Sequence, residues 1–327
     1  MISEYKIKDS VKQLLSTRIS TSKELFYASN FLKYTIPQFL YKSRLKKLID
    51  EKDIKDLEYI KYRVNYCNKL DAPFKLHNGT SIGDFKFRHA FSTYFFDTYE
   101  LTKYFNKKNV FNYVFGDVVT IPEEPAFVKS RPINGDNKNS VLLKLNKIRH
   151  YGFVKDKLAF QNKKSKVLWR GNVTDNKVKR IKFFERHFDN KLCDIGVTSR
   201  KFREKKWFKE KMTLGEQLKY KFILSLEGHD VATNLKWVMS SNSIAVMPTP
   251  EYETWFMEGT LIPDYHYIHI KKDYSDLDEK LNFYLNNPQK AEEIIKNANA
   301  YVEHFKDKKQ ERLISLLILK KYFDFTK

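Results

Sequence analysis

Cysteine, glycine and proline are all scarce in this sequence, and each scarcity excludes a class of protein. Cys67 and Cys193 are the only cysteines among 327 residues. Two thiols so far apart make neither a disulfide framework nor the paired spacing of a structural zinc site. A reducing compartment is therefore expected. Ten glycines and nine prolines are too few for a collagen-like repeat or a long low-complexity tract. No apolar run approaches membrane-spanning length; Leu313–Leu319 is among the longest and reads as one face of a helix. The first residues, MISEYKIKDSVKQ, are polar and lack the apolar core of a signal peptide. A cytoplasmic protein is expected, able to sit peripherally on the inner face of the cytoplasmic membrane. The phosphate loop GxxxxGK[ST], the dinucleotide fingerprint GxGxxG and the zinc-protease HExxH are also missing.

Basic and aromatic residues are plentiful. Lysine and arginine number 61 against 40 acidic residues, a net charge of +21. Such a balance implies an anionic partner: nucleic acid, anionic lipid or a phosphorylated substrate. The basic residues form no single stripe, and no zinc-finger or RNP motif accompanies them, so no specific nucleic acid is expected. A basic nucleic-acid-binding protein stands as one alternative to an enzyme. With 26 Phe, 20 Tyr and 42% hydrophobic residues, the chain can fill the cores of two domains.

The stretch Tyr220–Met247 organises the rest. Tyr220–Leu226 is a short apolar run, as buried parallel strands are, and it ends at Glu227-Gly228. Asp230 then precedes Val231, Leu235, Val238 and Met239, which share one helical face, so Asp230 is the expected N-cap. Ile244–Met247 is apolar again, completing a β-α-β unit. Thr233, Asn234 and Lys236 lie on the other helix face, where the amides and dipole of a helix start suit a phosphate or diphosphate. Asp230 is equally suited to a sugar hydroxyl.

A second strand-turn-helix lies upstream. Val167–Trp169 reads as a strand ending in Arg170-Gly171-Asn172, and Val178–Phe188 as a helix. Repeated alternation of this kind predicts an α/β domain with a parallel sheet. Ligands of such sheets bind beyond the carboxyl ends of the strands. Arg170-Gly171-Asn172 and Glu227–Asn234 both fall there. Arg170 can grip a diphosphate with its fork of donors or fix its own loop by a salt bridge. Lys179 and Arg180 can neutralise the same anion. Asp117 follows a strand candidate, Phe111–Phe115, and Gly116; a loop carboxylate there can serve as a general base or simply shape a turn.

Elsewhere, helices are expected at Val11–Leu15, Leu25–Phe31 and Phe39–Ile49, with a Thr21/Glu24 capping box opening the second. The stretch Tyr34–Leu48 mixes apolar and basic residues and fits either an anionic bilayer or a surface helix facing the core. Lys129-Ser130-Arg131-Pro132 reads as a basic loop. Val141–Arg149 reads as strand or short helix. Tyr252, Trp255 and Phe256 read as an aromatic loop ending at Gly259. Tyr265–Ile270 reads as a strand, and Ser275 with Asp278 as a weak capping box. Asp276-x-Asp278 has the form of a metal-binding pair but sits where acidic side chains favour a helix start. His229, His266 and His269 read as ordinary polar or packing residues.

Several segments in order resemble glycosyltransferase family 90: KVLWRGN at Lys166–Asn172, YKFILSLEGHDVATNLKWVMSSNS at Tyr220–Ser243 and YETWFMEG at Tyr252–Gly259. That family includes bacterial lipopolysaccharide-core glycosyltransferases, fungal capsule xylosyltransferases and animal protein O-glucosyltransferases. TIPEEPAFVKSRPI at Thr120–Ile133 and LKLNKIRHYGFVKDK at Leu143–Lys157 resemble its bacterial branch. The resemblance runs from about Asn112 to the C-terminus. It implies a GT-B fold, two Rossmann-like domains facing a cleft, with extra N-terminal helices and a C-terminal helix. The divisions are 1–158 on the acceptor side, 159–305 for the donor, and 306–327 as a helix packing back toward the N-terminal domain. It implies a UDP-sugar donor, inversion at the anomeric carbon and no metal or other cofactor. Asp117 matches the catalytic base, although animal members carry Arg where Gly116 stands. The donor-binding residues implied are Arg170, Gly171, Asn172, Arg180, Gly228, His229, Asp230, Val231, Ala232, Thr233, Asn234 and Lys236. Animal members carry Arg at the position of Asn234. Lys129 and Arg131 fall on the acceptor side. The partners implied are a UDP-sugar, a lipopolysaccharide-core or other glycan acceptor and an anionic membrane surface.

Overall fold

A computed structural model of the chain describes residues 23–49, 56–87, 91–173, 178–199, 202, 204 and 206–327. Val11–Leu15 and Thr21 of the expected capping box lie outside them. The main elements, in chain order, are α1 (Lys23–Thr35), α2 (Leu57–Cys67), β1 (Thr80–Ser81), α3 (Ser92–Thr102), β2 (Val110–Val114), β3 (Ala126–Val128), β4 (Ser130–Pro132), β5 (Ser140–Leu142) and β6 (Lys164–Gly171). There follow α4 (Val178–His187), β7 (Cys193–Val197), β8 (Tyr220–Leu224), α5 (Leu235–Met239), β9 (Ile244–Met247), β10 (Tyr252–Thr254), β11 (Ile268–His269), α6 (Leu277–Asn286), α7 (Pro288–Glu303) and α8 (Lys308–Phe325). These elements form two compact units. One comprises residues 23–149, 251–259 and 305–327; the other comprises His150–Pro250 and Thr260–His304. The molecule is thus mixed α/β with parallel sheets.

The second unit is built on five parallel strands in the order β11-β9-β8-β6-β7. Val167, Leu168, Phe222, Ile223, Leu224 and Val246 are all buried. A strand covered on both faces must be apolar along its length, which is why these stretches read as continuous runs rather than alternations. Phe183 and Phe184 of α4 enter the core, Phe184 edge-on to the Trp169 ring at 5.4 Å between centroids. Leu277 and Leu281 of α6 and Ala291 and Ile294 of α7 complete it.

Three expectations are corrected in this unit. The helix after Gly228 begins at Leu235, not behind Asp230. The Gly228 amide donates to the Asp230 carbonyl, so the chain turns there and is not yet helical. Asn234 takes the N-cap position, but its amide nitrogen donates to the Leu224 carbonyl at 3.0 Å and leaves α5 without a side-chain cap. The expected strand at Tyr265–Ile270 shrinks to β11. Before it, Asp264 has positive φ, its amide bonds the Tyr267 carbonyl and the His266 amide bonds that of Ile262, which makes a turn. Ser275 does not cap α6; its hydroxyl donates to Asp273 and the N-cap is Asp276. Asp276 accepts from the Lys271 amide and Asp278 from the Asn190 side chain, so both hold local structure.

The first unit carries a four-stranded sheet in the order β1-β2-β3-β5, in which β2, β3 and β5 are parallel and β1 is antiparallel at the edge. The C-terminal helix α8 packs on it. The Tyr322 ring lies 4.4 Å from that of Phe127, and its hydroxyl donates to the Pro125 carbonyl at 2.6 Å. Val141–Arg149 resolves into β5 followed by a helical turn at Lys147–His150.

The stretch Lys129–Pro132 is not a loop but contains a strand, and the aromatic loop expected at Tyr252–Gly259 opens with a strand, Tyr252–Thr254, before a turn that buries Trp255 and Phe256. These two strands, β4 and β10, pair antiparallel, with Arg131 opposite Glu253. Arg131 is wholly buried; Nε donates to Glu253 at 2.8 Å and the other nitrogens to the carbonyls of Tyr66 and Ser140 at 2.8 and 3.0 Å. Trp255 is buried too, and its indole N–H donates to Glu311 of α8. Glu311 also pairs with Arg63 of α2 at 3.1 Å and with Lys144 at 2.6 Å. Buried arginine and glutamate need partners, because desolvation of a lone charge costs several kcal/mol. One carboxylate therefore ties together α2, α8, the residues after β5 and those after β10.

Glu311→Ala leaves Arg63 buried without its counter-ion. The expected loss is about 3–5 kcal/mol of unfolding free energy, read from denaturant unfolding followed by circular dichroism. Glu311→Gln, which keeps hydrogen-bond capacity, should lose less.

Candidate functional site

The order of the five-stranded sheet decides where a ligand can sit in the second unit. From β6 the chain steps outward to β7, returns to β8 on the other flank of β6, and continues to β9 and β11. The direction of winding reverses between β6 and β8, so their following loops diverge and leave a crevice at the carboxyl edge. Residues Gly171-Asn172 leave β6 there, and Ser225–Asn234 leave β8 there. The parallel register, with Val167 opposite Phe222 and Leu168 opposite Ile223, brings the two loops side by side.

Arg180, in the first turn of α4, spans them. Its Nη1 donates to the Asn172 carbonyl at 2.8 Å and its Nη2 to the Leu226 carbonyl at 3.1 Å. The guanidinium lies 5.3 Å from the centre of the Trp169 ring, within cation–π range. Gly228 sits directly over it: a Cβ there would stand 2.9 Å from Nη2. Glycine is needed for this close approach rather than for an unusual φ. Lys179 pairs with Glu227 at 2.6 Å, and its backbone carbonyl accepts from the Tyr274 hydroxyl. The pairing of Lys179 with Glu227 was not legible in the sequence, because the two residues are far apart along the chain.

The remaining donor-side candidates divide by burial. Asn172 and His229 are exposed, and Thr233 and Asn234 are half-buried. Asp230, Val231, Ala232 and Lys236 are buried, Lys236 completely. Lys236 is the second residue of α5, so it does not lie on a solvent-facing helix side as the spacing predicted. A helix of five residues also carries little macrodipole, which leaves the turn itself and Arg180 as the stronger anion-binding features. Gly171 packs its Cα against the Trp169 ring, where a Cβ would come within 2.5 Å. Arg170 is turned away from the crevice. It pairs with Asp194 at 2.7 Å and also donates to the Asp194 and Trp169 carbonyls.

In the first unit, Asp117 follows the carboxyl end of β2, and Lys129 follows that of the adjacent parallel strand β3. Lys129 Nζ lies 2.5 Å from Asp117 Oδ1. The lysine is fully buried while a third of the aspartate side chain stays exposed, at 33%. Gly116 has φ of +108°, a conformation that only glycine adopts without strain, and it turns the chain so that Asp117 meets Lys129. The Val118 amide then donates to the Ser130 hydroxyl at 3.1 Å, pinning the loop. The result is a carboxylate that meets a buried cation and keeps a third of its side chain exposed, as suits a proton acceptor. Sequence reading marked Asp117 and Lys129 separately; nothing in their spacing disclosed the pair. Arg131, two residues on, is spent on Glu253 and backbone carbonyls.

The family model described as "Glycosyl transferase family 90" matches residues 144–324. The chain is 45% identical over 265 residues to the O-glucosyltransferase LpsA of Dichelobacter nodosus, covering 81% of this chain and 82% of that protein. This chain belongs to glycosyl transferase family 90. Human protein O-glucosyltransferase 3 is 30% identical over 141 residues, 41% of this chain and 27% of the human protein. The family match takes in the loops after β6 and β8, the β10 segment and most of α8. Asp117, Lys129 and Arg131 precede it. The family segments at Tyr252–Gly259 and in α8 lie in the same unit as Asp117, while those at Lys166–Asn172 and Tyr220–Ser243 build the crevice of the other.

Asp194, the partner that draws Arg170 away, is itself tightly held. Burial alone would raise its carboxyl, but hydrogen bonds from Tyr220, Lys209 and Arg170 outweigh burial and hold it below the usual carboxylate range. Burial and the same contact push the Tyr220 phenol up to about 12. A depressed carboxyl stabilises the fold above its unfolded value and stops doing so as pH falls through the folded one. Wild type should therefore melt at a higher temperature than Asp194→Asn above about pH 4, and the gap should close as the pH is lowered below that. Melting curves taken across that range check it.

Proposed function

We propose that the protein is an inverting glycosyltransferase that moves a hexose, glucose in preference to galactose, from a UDP-sugar to a hydroxyl of a lipopolysaccharide-core or related surface glycan. The single observation that carries the donor half is the Arg180 guanidinium spanning the two loops at the point where the sheet reverses its winding. Family membership supports the transferase class. The name of the relative from Dichelobacter nodosus supports glucose. The two units would be the donor and acceptor halves of a GT-B enzyme. Both cysteines are buried, Cys67 with its thiol pushed by burial to about 11, which suits an enzyme of the reducing cytoplasm.

In this reading Asp117 takes the proton of the acceptor hydroxyl as that oxygen attacks the anomeric carbon from the face opposite the leaving group. The carbon–oxygen bond to the diphosphate breaks and UDP departs with the electron pair. Charge develops on the diphosphate at that moment. Arg180 and the amides of the turn from Gly228 to Asn234 are assigned to stabilise it, a role for preorganised donors, with the buried Lys236 adding its charge from behind the turn. Asn172 and His229, exposed at the loops, are the candidates for contact with uridine or sugar. Lys129 orients the base, and Arg170 positions its loop through Asp194 rather than touching the nucleotide.

Asp117→Asn should bind UDP as wild type does while transfer falls by about 10²–10⁴, the usual worth of a general base. Isothermal titration with UDP and a radiolabelled transfer assay separate the two effects. Turnover near wild type in the variant would reject Asp117; UDP binding by wild type without any transfer would leave a silent binder. Arg180→Ala should weaken UDP by about ten- to a hundredfold, the loss of one or two charge-assisted hydrogen bonds. A thermal-shift comparison of UDP-glucose, UDP-galactose, UDP-xylose and UDP-N-acetylglucosamine tests the donor, with the largest shift expected for UDP-glucose.

A further inference from the structure

The first unit has an apolar face that its own core does not use. One side of α1 is fastened to α3. The rings of Phe26, Tyr27 and Phe31 meet Phe96 edge-on at 6.4, 6.1 and 4.9 Å, and Tyr34 meets Phe95 and Tyr99. The hydroxyls of Tyr27 and Ser92 share a hydrogen bond of 2.9 Å. Pro37 interrupts the helix, and two helical turns follow, Phe39–Lys42 and Leu45–Leu48. These are fastened as well: Gln38 donates to the Phe105 carbonyl, and Tyr41 is buried against Tyr104 with the Lys103 ammonium 3.8 Å from its ring centre. Tyr34–Leu48 is therefore not one helix with its apolar side inward. Its aromatic anchors go inward and other apolar residues stay out.

Those left out are large. Leu25 is 63% exposed, Leu32 70% and Phe39 70%, with Ile36 and Leu40 exposed beside them. Leu25 and Leu32 are seven residues apart, two turns of one helix face. Large apolar side chains exposed together within one short stretch mark a contact. The charges around it identify the occupant. Between residues 25 and 49 there is no aspartate or glutamate, while Lys33, Lys42, Arg44, Lys46 and Lys47 are all exposed. Glu24 and Asp50 bound this stretch and Glu100 lies near Lys33, but along its own length the ridge carries cations only, and such a ridge complements a negatively charged lipid surface, into whose headgroup layer it sinks. A second copy of the chain would set the same five cations against themselves across a two-fold axis. No helix among the described residues is long and apolar enough to cross a membrane, so the contact is with the surface.

We propose that α1 and the two turns after it form the docking surface of this protein for an anionic bilayer, with Leu25, Leu32 and Phe39 inserting and Lys42, Arg44, Lys46 and Lys47 facing the headgroups. The full chain is floated with vesicles of phosphatidylcholine alone and with phosphatidylglycerol added. Wild type should float with the anionic vesicles, not with the neutral ones, and less as salt is raised. The exposed double substitution Leu32→Glu with Phe39→Glu should lower the partition coefficient by at least about tenfold, and Lys42→Glu with Lys46→Glu should do the same. UDP binding by these variants should match wild type, which separates this proposal from the donor-site reading. A wild-type chain that stays unbound, or variants that float as well as wild type, would overturn it. So would a wild-type dimer without lipid that Leu32→Glu turns into a monomer, since the ridge would then be a protein interface.

Discussion

Two adjacent parallel strands, β6 and β8, are approached by the chain from opposite directions, and this reversal governs the second unit. Hydrogen-bonded neighbours in a parallel sheet are held in fixed register, yet their following segments must go to different flanks. Such a point of reversal is where open parallel sheets bind their ligands. A single guanidinium spans it. Arg180 satisfies carbonyls from both loops at once, rests on the Trp169 ring and lies so close to Gly228 that a larger residue would displace it. Positive charge is thereby fixed between the two loops.

The first unit solves a different problem. Its segments come from three stretches of chain, and apolar packing alone does not specify how they join. Buried charge does. Glu311 collects Arg63, Lys144 and Trp255, and Glu253 collects Arg131. Each pair costs desolvation and is worth keeping only when the geometry is complete, so together they admit one arrangement of α2, α8, β4 and β10. This frame holds the carboxyl ends of β2 and β3 next to each other, and with them Asp117 and Lys129. A family segment such as Tyr252–Gly259, rich in aromatics and acids, serves that frame.

The alternation of strand, glycine turn and helix was legible in the sequence at Val167 and Tyr220 because strands covered on both faces have no polar positions. The helices α4 and α8 were legible from their spacing. Asp230 misled because a good capping residue ahead of an apolar face predicts a helix start, while the backbone hydrogen bond from Gly228 to Asp230 made a turn instead. Lys129-Ser130-Arg131-Pro132 misled in the same way: charge suggested exposure, and the partner that allows burial, Glu253, lies far along the chain. At Tyr34–Leu48 the spacing left a bilayer face and a core face both open; in the structure Tyr34 and Tyr41 pack on the aromatic rings of the unit and Phe39 stays exposed.

What the sequence determined by itself is what local spacing encodes: an α/β chain, two strand ends with the right residues for an anion, a family and a class of chemistry. Periodicity and composition act over a few residues, and they suffice for that. Which cation faces the crevice was decided only in three dimensions. Arg170 and Arg180 are both arginines near one strand end, and nothing nearby ranks them. Asp194, brought alongside by the register of β7 with β6, claims the first and leaves the second to hold the loops, because a charge goes to the partner that tertiary packing sets within reach.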